Sequence, residues 1–401
     1  MKRWIAAALA VVVLASVFIL RRPASPETTE TTEFSQPTTE AVPAREEIRA
    51  VWISFTELSM LEEDDRSENA FRKKAKTMVR HMADNKMNTV FLHVRPCSDA
   101  FYRSEIYPFS SYLTGTEGKD PGYDPLDIFC EYASEAGLSV HAWINPFRIC
   151  SAENMDKRAQ SNPALQMPES VVTVRGGVYY NPADPAVHEL ILSGVRELLQ
   201  NYPIDGIHID DYFYPSTDDF IDAELFSKQT QLPLDEWRRD RISAFVHALY
   251  STVKSYGTEK IFSISPAVDI ERNTNELYAD VTRWAQEPGY CDWIIPQLYV
   301  GFEHETFPFA QAADEWNALV QAENVRLLFG LSVYKCGDMD SYAGTGQKEW
   351  TEKTDILQRQ LEYIRPLSRC SGFALFSYSY AFGKNMSDNS KQEIQRLTSV
   401  L

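Results

Sequence analysis

Two adjacent carboxylates, Asp210 and Asp211, close an apolar run that begins Asp205-Gly206-Ile207-His208-Ile209 and leads into Tyr212-Phe213-Tyr214-Pro215. Side chains of an extended segment alternate, so Ile207 and Ile209 share one face while His208 and Asp210 share the other. An inward charge is costly unless it is paired or used. Two carboxyls side by side repel, which raises the pKa of one and lets it hold a proton while the other stays charged. Glycosidic bond cleavage needs that combination of acid and carboxylate. An Asp at a strand end also caps turns or pairs with Arg, so the two positions gain meaning only from the elements around them.

Those elements repeat. Apolar, β-rich runs at 48–54, 89–95, 139–145, 206–212, 260–266, 293–300, 326–334 and 372–380 alternate with helical-period segments at 69–85, 125–137, 185–202, 234–256, 274–286, 307–322, 352–365 and 388–400. Eight such units predict an α/β fold, a closed (β/α)8 TIM-type barrel with long loops at its C-terminal face. The competing arrangement, a doubly wound open sheet, lacks a glycine-rich phosphate loop after its first strand.

Strand parity sorts the side chains into two sets. Ser54, His93, Arg95, His141, Trp143, Asn145, His208, Asp210, Ser263, Ser265, Gln297, Tyr299, Ser332, Tyr334, Ser377 and Ser379 are expected inside the barrel. Leu92, Val94, Ile144, Ile207, Ile209, Ile264, Ile294, Leu298, Phe329, Leu331 and Phe376 are expected to face the helices. Barrel chemistry belongs at the C-terminal mouth, where the polar set converges. His93, His141, His208 and Asp210 also have the donor types of a divalent-metal site, so a metal-dependent hydrolase is the alternative enzyme class; equally, each His can be a hydrogen-bonded core residue.

The N-terminus gives an address. Met1-Lys2-Arg3 precedes an uncharged run, 4–20, that ends on Arg21-Arg22 with no clear small-residue cleavage site, so residues 1–22 form a signal peptide or, more in keeping with those flanks, a signal anchor. Residues 23–45 are rich in Thr, Glu, Pro and Ser and predict a tether, leaving 46–401 as the barrel. This organisation implies a membrane partner through the N-terminal segment and an extracellular or secreted barrel. The net charge of −18 disfavours nucleic acid and anionic polymers as partners. The six cysteines include no C-x-x-C pair, which speaks against structural zinc. Cys97 with Cys150 and Cys291 with Cys370 are candidate disulfides, with free buried thiols as the slightly favoured alternative for each pair.

Several blocks together carry a family resemblance: Arg49-Ala50-Val51-Trp52-Ile53-Ser54, Trp143-Ile144-Asn145-Pro146, Tyr179-Tyr180-Asn181-Pro182, the Asp205 to Pro215 run, Ser263-Ile264-Ser265-Pro266, Tyr278-Ala279-Asp280, Pro296-Gln297-Leu298-Tyr299 and Gly372-Phe373-Ala374-Leu375-Phe376. The chain from Glu47 onward resembles the glycoside hydrolase-like family 10 proteins. The resemblance implies a barrel acting on glycans, with bacterial cell-wall polysaccharide stripped of its peptides as the leading substrate class. Asp210 and Asp211 are the expected catalytic carboxylates. Asp269, Glu271 and Glu303, with Glu57 and Asp99, are further acid candidates at strand ends. Arg95, Trp143, Asn145, Arg148, His208, Tyr214, Gln297, Tyr299 and Tyr334 are expected to bind sugar by hydrogen bonds and ring stacking. No cofactor is implied. The Asp205 run also partly matches the D-G-x-D-x-D-x-E signature of substrate-assisted chitinase-type barrels, but His208 replaces an Asp and Tyr212 stands where that acid Glu belongs. The long loops 96–123, 146–184 and 215–233 are expected to wall a groove for several sugars, and a non-catalytic glycan-binding barrel is the remaining alternative.

Overall fold

A computed structural model describes residues 46–228 and 231–401; the expected signal or anchor segment and the tether lie outside the described residues. Eight parallel strand positions close on themselves: β1 Ile48–Ile53, β2 Thr89–Arg95, β3 Ser139–Ile144, β4 Gly206–Ile209, β5 Ile261–Ile264, β6, β7 Arg326–Ser332 and β8 Cys370–Phe376. β6 consists of two short pieces, Trp293–Ile294 and Gln297–Leu298, because Pro296 has no N–H to give to a ladder. Closure comes from β8, which pairs with both β7 and β1. The sequence-predicted barrel is therefore the fold.

The helices form where capping and periodicity agree. Helix α1, Glu68–Asp84, starts at Ser67, whose side chain accepts from the Ala70 N–H, and it buries Phe71, Ala75, Met78, Val79 and Met82 on one stripe. Helices α2, Pro125–Glu135, and α3, Pro185–Asn201, start with an Asp cap followed by Pro, which presets the first turn. The segment expected as one helix at 274–286 is instead two, Ile270–Asn275 and Val281–Gln286; Tyr278 between them has φ 53°, a left-handed geometry that cannot continue a right-handed helix.

Two apolar layers result. Val51, Leu92, Ile144, Ile207, Ile264, Phe329 and Leu375 pack under the helices. Ile48, Ala50, Trp52, Phe91, Trp143, Trp293, Ile295, Leu328 and Ala374 fill the barrel itself. Gly206 is needed at the entry to β4: a Cβ there would collide with the Ile261 carbonyl oxygen and lie 2.9 Å from His141 Nδ1.

The expected facing fails at three places. The β2–β3 register shifts between His93 and Arg95, so Arg95 is opposite Ile144, a residue of the outer layer, and not inside the barrel. β4 ends at Ile209, three residues earlier than expected. β8 ends at Phe376, which packs against the inner layer and not under the helices, while Ser377 and Ser379 turn away to the Glu57 carboxylate. All six cysteines are free: Cys291 Sγ lies on the Trp284 carbonyl at 3.8 Å and Cys370 Sγ on the Gly372 carbonyl at 3.9 Å, so the second candidate pair points apart, and Cys150 Sγ sits 3.8 Å from Met155 Sδ, not on Cys97.

The chain beyond β4 is pinned by a buried ion pair. Arg238 of the helix Leu234–Ser255 donates through Nε and Nη2 to both Asp222 oxygens, at 2.8 and 2.7 Å, and also reaches the carbonyls of Thr217 and Asp218 and the Tyr278 hydroxyl. Both side chains are fully buried, so removing one leaves an uncompensated charge. Asp222→Ala is expected to cost about 3–5 kcal/mol of unfolding free energy. Urea denaturation measures this, and a loss below about 1 kcal/mol is the contrary result.

Candidate active site

Asp210 is the first residue past β4, and β3 holds it. Its Oδ2 accepts from Trp143 Nε1 at 3.1 Å and from Asn145 Nδ2 at 2.5 Å, and its Oδ1 accepts from the Tyr212 backbone N–H at 3.3 Å. Asp211 points toward β6, where Gln297 Nε2 donates to its Oδ1 at 3.2 Å. Burial is the first cause that raises both carboxyls above their ordinary range, and for Asp210 the neighbouring charge of Asp211 adds to it. Such a pair binds one proton between its members well above the pH at which isolated carboxyls lose theirs.

The pair lines a cavity of about 420 Å³ at the C-terminal mouth. Trp52, His93, Trp143, Asn145, Ser265 and Phe376 line it together with Tyr212, Gln297, Tyr299, Tyr334 and Tyr380, and Ser54, Phe55 and Arg148 complete it. Ser265 Oγ is buried there without a hydrogen-bond partner among the described residues. Aromatic faces and neutral polar groups around two carboxyls are the lining that a sugar ring needs.

Six expected sugar-binding residues therefore lie at the cavity: Trp143, Asn145, Arg148, Gln297, Tyr299 and Tyr334. Three do not. Arg95 is buried under the loop after β3, donating to the carbonyls of Asn145 and Pro146 at 2.6 and 3.0 Å beneath the Tyr107 ring. Tyr214 binds Asp222 Oδ2 at 2.8 Å. His208 lies beneath the floor, where Trp52 Nε1 donates to its Nε2 at 3.0 Å and its Nδ1 lies 2.9 Å from Ser263 Oγ. Accepting at Nε2 makes His208 a neutral imidazole with its proton on Nδ1, in keeping with burial, which holds its pKa well below the usual value.

The further acid candidates are used elsewhere. Asp269 caps a helix through Arg272 N–H, Glu271 is exposed, and Glu303 pairs with Lys353 on the surface. Asp99 Oδ1 accepts from the Cys97 N–H at 3.0 Å. Glu57 accepts from Ser54 N–H at 2.6 Å and from Ser377 Oγ at 2.7 Å, tying two stretches of cavity wall together. The four groups of the metal reading are likewise separated in role. His93 stacks on Trp143 with centroids 3.6 Å apart and His141 on Trp293 at 4.7 Å, and no group of three or more His, Cys, Asp or Glu among the described residues has metal-binding geometry. Sequence reasoning missed Phe55 and Tyr380 as wall residues, because they lie past the ends of β1 and β8 where parity no longer applies, and it placed Phe376 on the opposite face although Phe376 follows Ala374 on the inner side of β8. Of the described residues of the three long loops, only Arg148 reaches this cavity.

A family model described as glycosyl hydrolase-like 10 matches residues 47–351, most of the barrel. The chain belongs to the glycosyl hydrolase-like 10 family. Among family relatives, glycosyl hydrolase YngK of Bacillus subtilis (strain 168) is 33% identical over 346 residues, covering 80% of this chain and 67% of its own. Glycosyl hydrolase DigH of Escherichia coli (strain K12) is 30% identical over 330 residues, covering 75% of this chain and 74% of its own. Among solved structures, the PgaB (BpsB) glycoside hydrolase domain from Bordetella bronchiseptica shares the fold with a TM-score of 0.60 at 13% identity, over 88% of this chain and 99% of that one.

Raised carboxyls make stability depend on pH in a defined direction. The folded state favours the protonated pair, so its contribution is complete below the ordinary Asp range and is lost as pH rises through the folded pKa values. Asp210→Asn removes the mutual repulsion. The stability difference between variant and wild type is expected to move in the variant's favour by about 1–3 kcal/mol between pH 4 and pH 8, read from urea unfolding at both pH values. A constant difference would mean that the pair titrates as two independent surface carboxyls.

Proposed function

We propose that this chain is a glycosidase that cleaves peptide-free peptidoglycan strands internally, with Asp210 and Asp211 carrying the reaction. The observation that supports this reading best is the adjacent, buried carboxyl pair opening into a cavity of aromatic and neutral polar side chains. The N–H groups of Trp143, Asn145 and Tyr212 converge on Asp210 and fix its orientation, while burial and the charge of Asp211 push its pKa up to about 7, so Asp210 is the member that holds the proton and gives it to the leaving oxygen. Asp211, with Gln297 as its side-chain donor, is then the charged member that acts as nucleophile or base. Trp143, Tyr299 and Tyr334 offer stacking faces, and Gln297 offers a partner for hydroxyl and acetamido groups. The relatives named glycosyl hydrolases support the reaction class. The uncharged run near the N-terminus supports placing the barrel outside the cell, anchored or secreted.

The full-length chain is expected to release oligosaccharides from peptide-free glycan strands, with little action on intact peptide-bearing wall, chitin or starch oligomers. Mass analysis of the products decides: monosaccharides alone would exclude an internal mode, and cleavage confined to α-glucans would exclude a cell-wall substrate. Asp210→Asn is expected to lose about 10²–10⁴-fold in kcat while folding normally. Near wild-type turnover would remove Asp210 from the mechanism. Activity is expected to survive exhaustive chelation, and a loss reversed by added zinc would favour a metal-dependent hydrolase.

A further inference from the structure

Arg148 is the one basic side chain among the described residues lining the cavity that stays charged at neutral pH, since burial, followed by the charge of Arg148 itself, keeps His93 neutral. Its position is fixed from three sides. It begins the strand Arg148–Ser151, registered against Tyr179 in a small antiparallel sheet that follows β3. Its Nε donates to the Pro96 carbonyl at 3.0 Å. Its guanidinium carbon lies 5.4 Å from the Phe55 ring centroid and 5.2 Å from that of Tyr212. These contacts leave the two terminal nitrogens with no hydrogen bond or ion pair among the described residues, although two carboxyls share the same cavity.

A planar cation held by its Nε and by aromatic rings, with its terminal N–H groups open, is arranged to meet a planar anion by two parallel hydrogen bonds. The cavity otherwise repels anions through Asp210 and Asp211, so an acidic sugar would enter only against a fixed positive group. On the reading of the chain as a cell-wall glycosidase, one such group exists by chemistry alone. The lactyl ether of muramic acid ends in a carboxyl that is an amide while the peptide is attached and a free carboxylate once it is removed.

We infer that Arg148 is a specificity residue that binds the free lactyl carboxylate of muramic acid and so selects glycan from which the peptide has gone. The neutral amide offers one carbonyl and no charge, and the peptide it carries would have to fit beside the Phe55 and Tyr212 rings. Peptide-bearing strands are thus refused by the loss of a charge-assisted pair rather than by bulk alone.

The test is a binding measurement, independent of turnover. The full-length chain is titrated calorimetrically with the disaccharide of N-acetylglucosamine and N-acetylmuramic acid, and with the same disaccharide whose carboxyl is converted to the primary amide. Wild type is expected to prefer the acid by about tenfold or more. Arg148→Gln is expected to bring the two sugars within about twofold, and Arg148→Lys to retain part of the preference because it keeps charge without the planar fork. Equal affinity of the wild type for both sugars, no measurable binding of either, or a preference unchanged in Arg148→Gln overturns the assignment. The wild-type comparison needs no variant to fold. Discrimination without any glycan cleavage would keep the Arg148 assignment and sink the hydrolase reading, whereas cleavage without discrimination would do the reverse.

Discussion

The grip of β3 on Asp210 is the interaction on which the site depends. Trp143 Nε1 and Asn145 Nδ2 reach across from the neighbouring strand to one carboxylate oxygen, at 3.1 and 2.5 Å. Asp210 has just left the ladder, so its own backbone no longer aims it by strand alternation; cross-strand donors do that instead. The same contacts tie the orientation of the Trp143 ring, and of His93 stacked face to face on it, to the position of the carboxyl. The Asp210 carboxyl and the aromatic wall of the cavity are in this way one hydrogen-bonded unit at the strand ends.

Beneath that unit the barrel uses neutral imidazoles as core material. His208 is bracketed by Trp52 and Ser263 and stacks on Phe91 with centroids 4.2 Å apart. His141 stacks on Trp293 and meets Phe91 edge-on. Desolvation is the first cause that lowers the pKa of each, and a neutral ring can fill space beside aromatics where a charged one would require a counter-ion. The floor is consequently firm and uncharged, which concentrates the electrostatics of the cavity in Asp210, Asp211 and Arg148.

The rim is held by buried polar groups that lie outside the cavity lining. Glu57 joins the segment after β1 to the turn after β8, and the Asp222–Arg238 pair anchors the chain that follows Asp210 and Asp211. Each carboxylate has several donors aimed at it, which offsets the cost of taking it out of water. Loops that would otherwise vary in conformation are thereby set at a fixed distance from the strand ends.

The amino-acid sequence by itself determined the number of β/α units and the apolar layer under the helices, because these follow from periods of 2 and 3.6 that a regular backbone imposes on every residue. Trp143 and Gln297 were legible on the same ground, whereas Asp210, Asn145 and Tyr299 lie one residue past their strands and keep the expected side only because tertiary contacts hold them there. The tertiary structure alone decided the exceptions. A one-residue shift in β2 sends Arg95 out of the barrel, and in β8 it is Ala374 and Phe376 that face inward, so that Phe376 meets the cavity while Ser377, just past the strand, serves Glu57. It also put His208 beneath the floor and Asp269, Glu271 and Glu303 away from the carboxyl pair. Parity carries information only while the ladder is unbroken. Past a bulge or a strand end, a side chain goes where its hydrogen-bond partners and packing neighbours stand, and those come from residues far away in the chain.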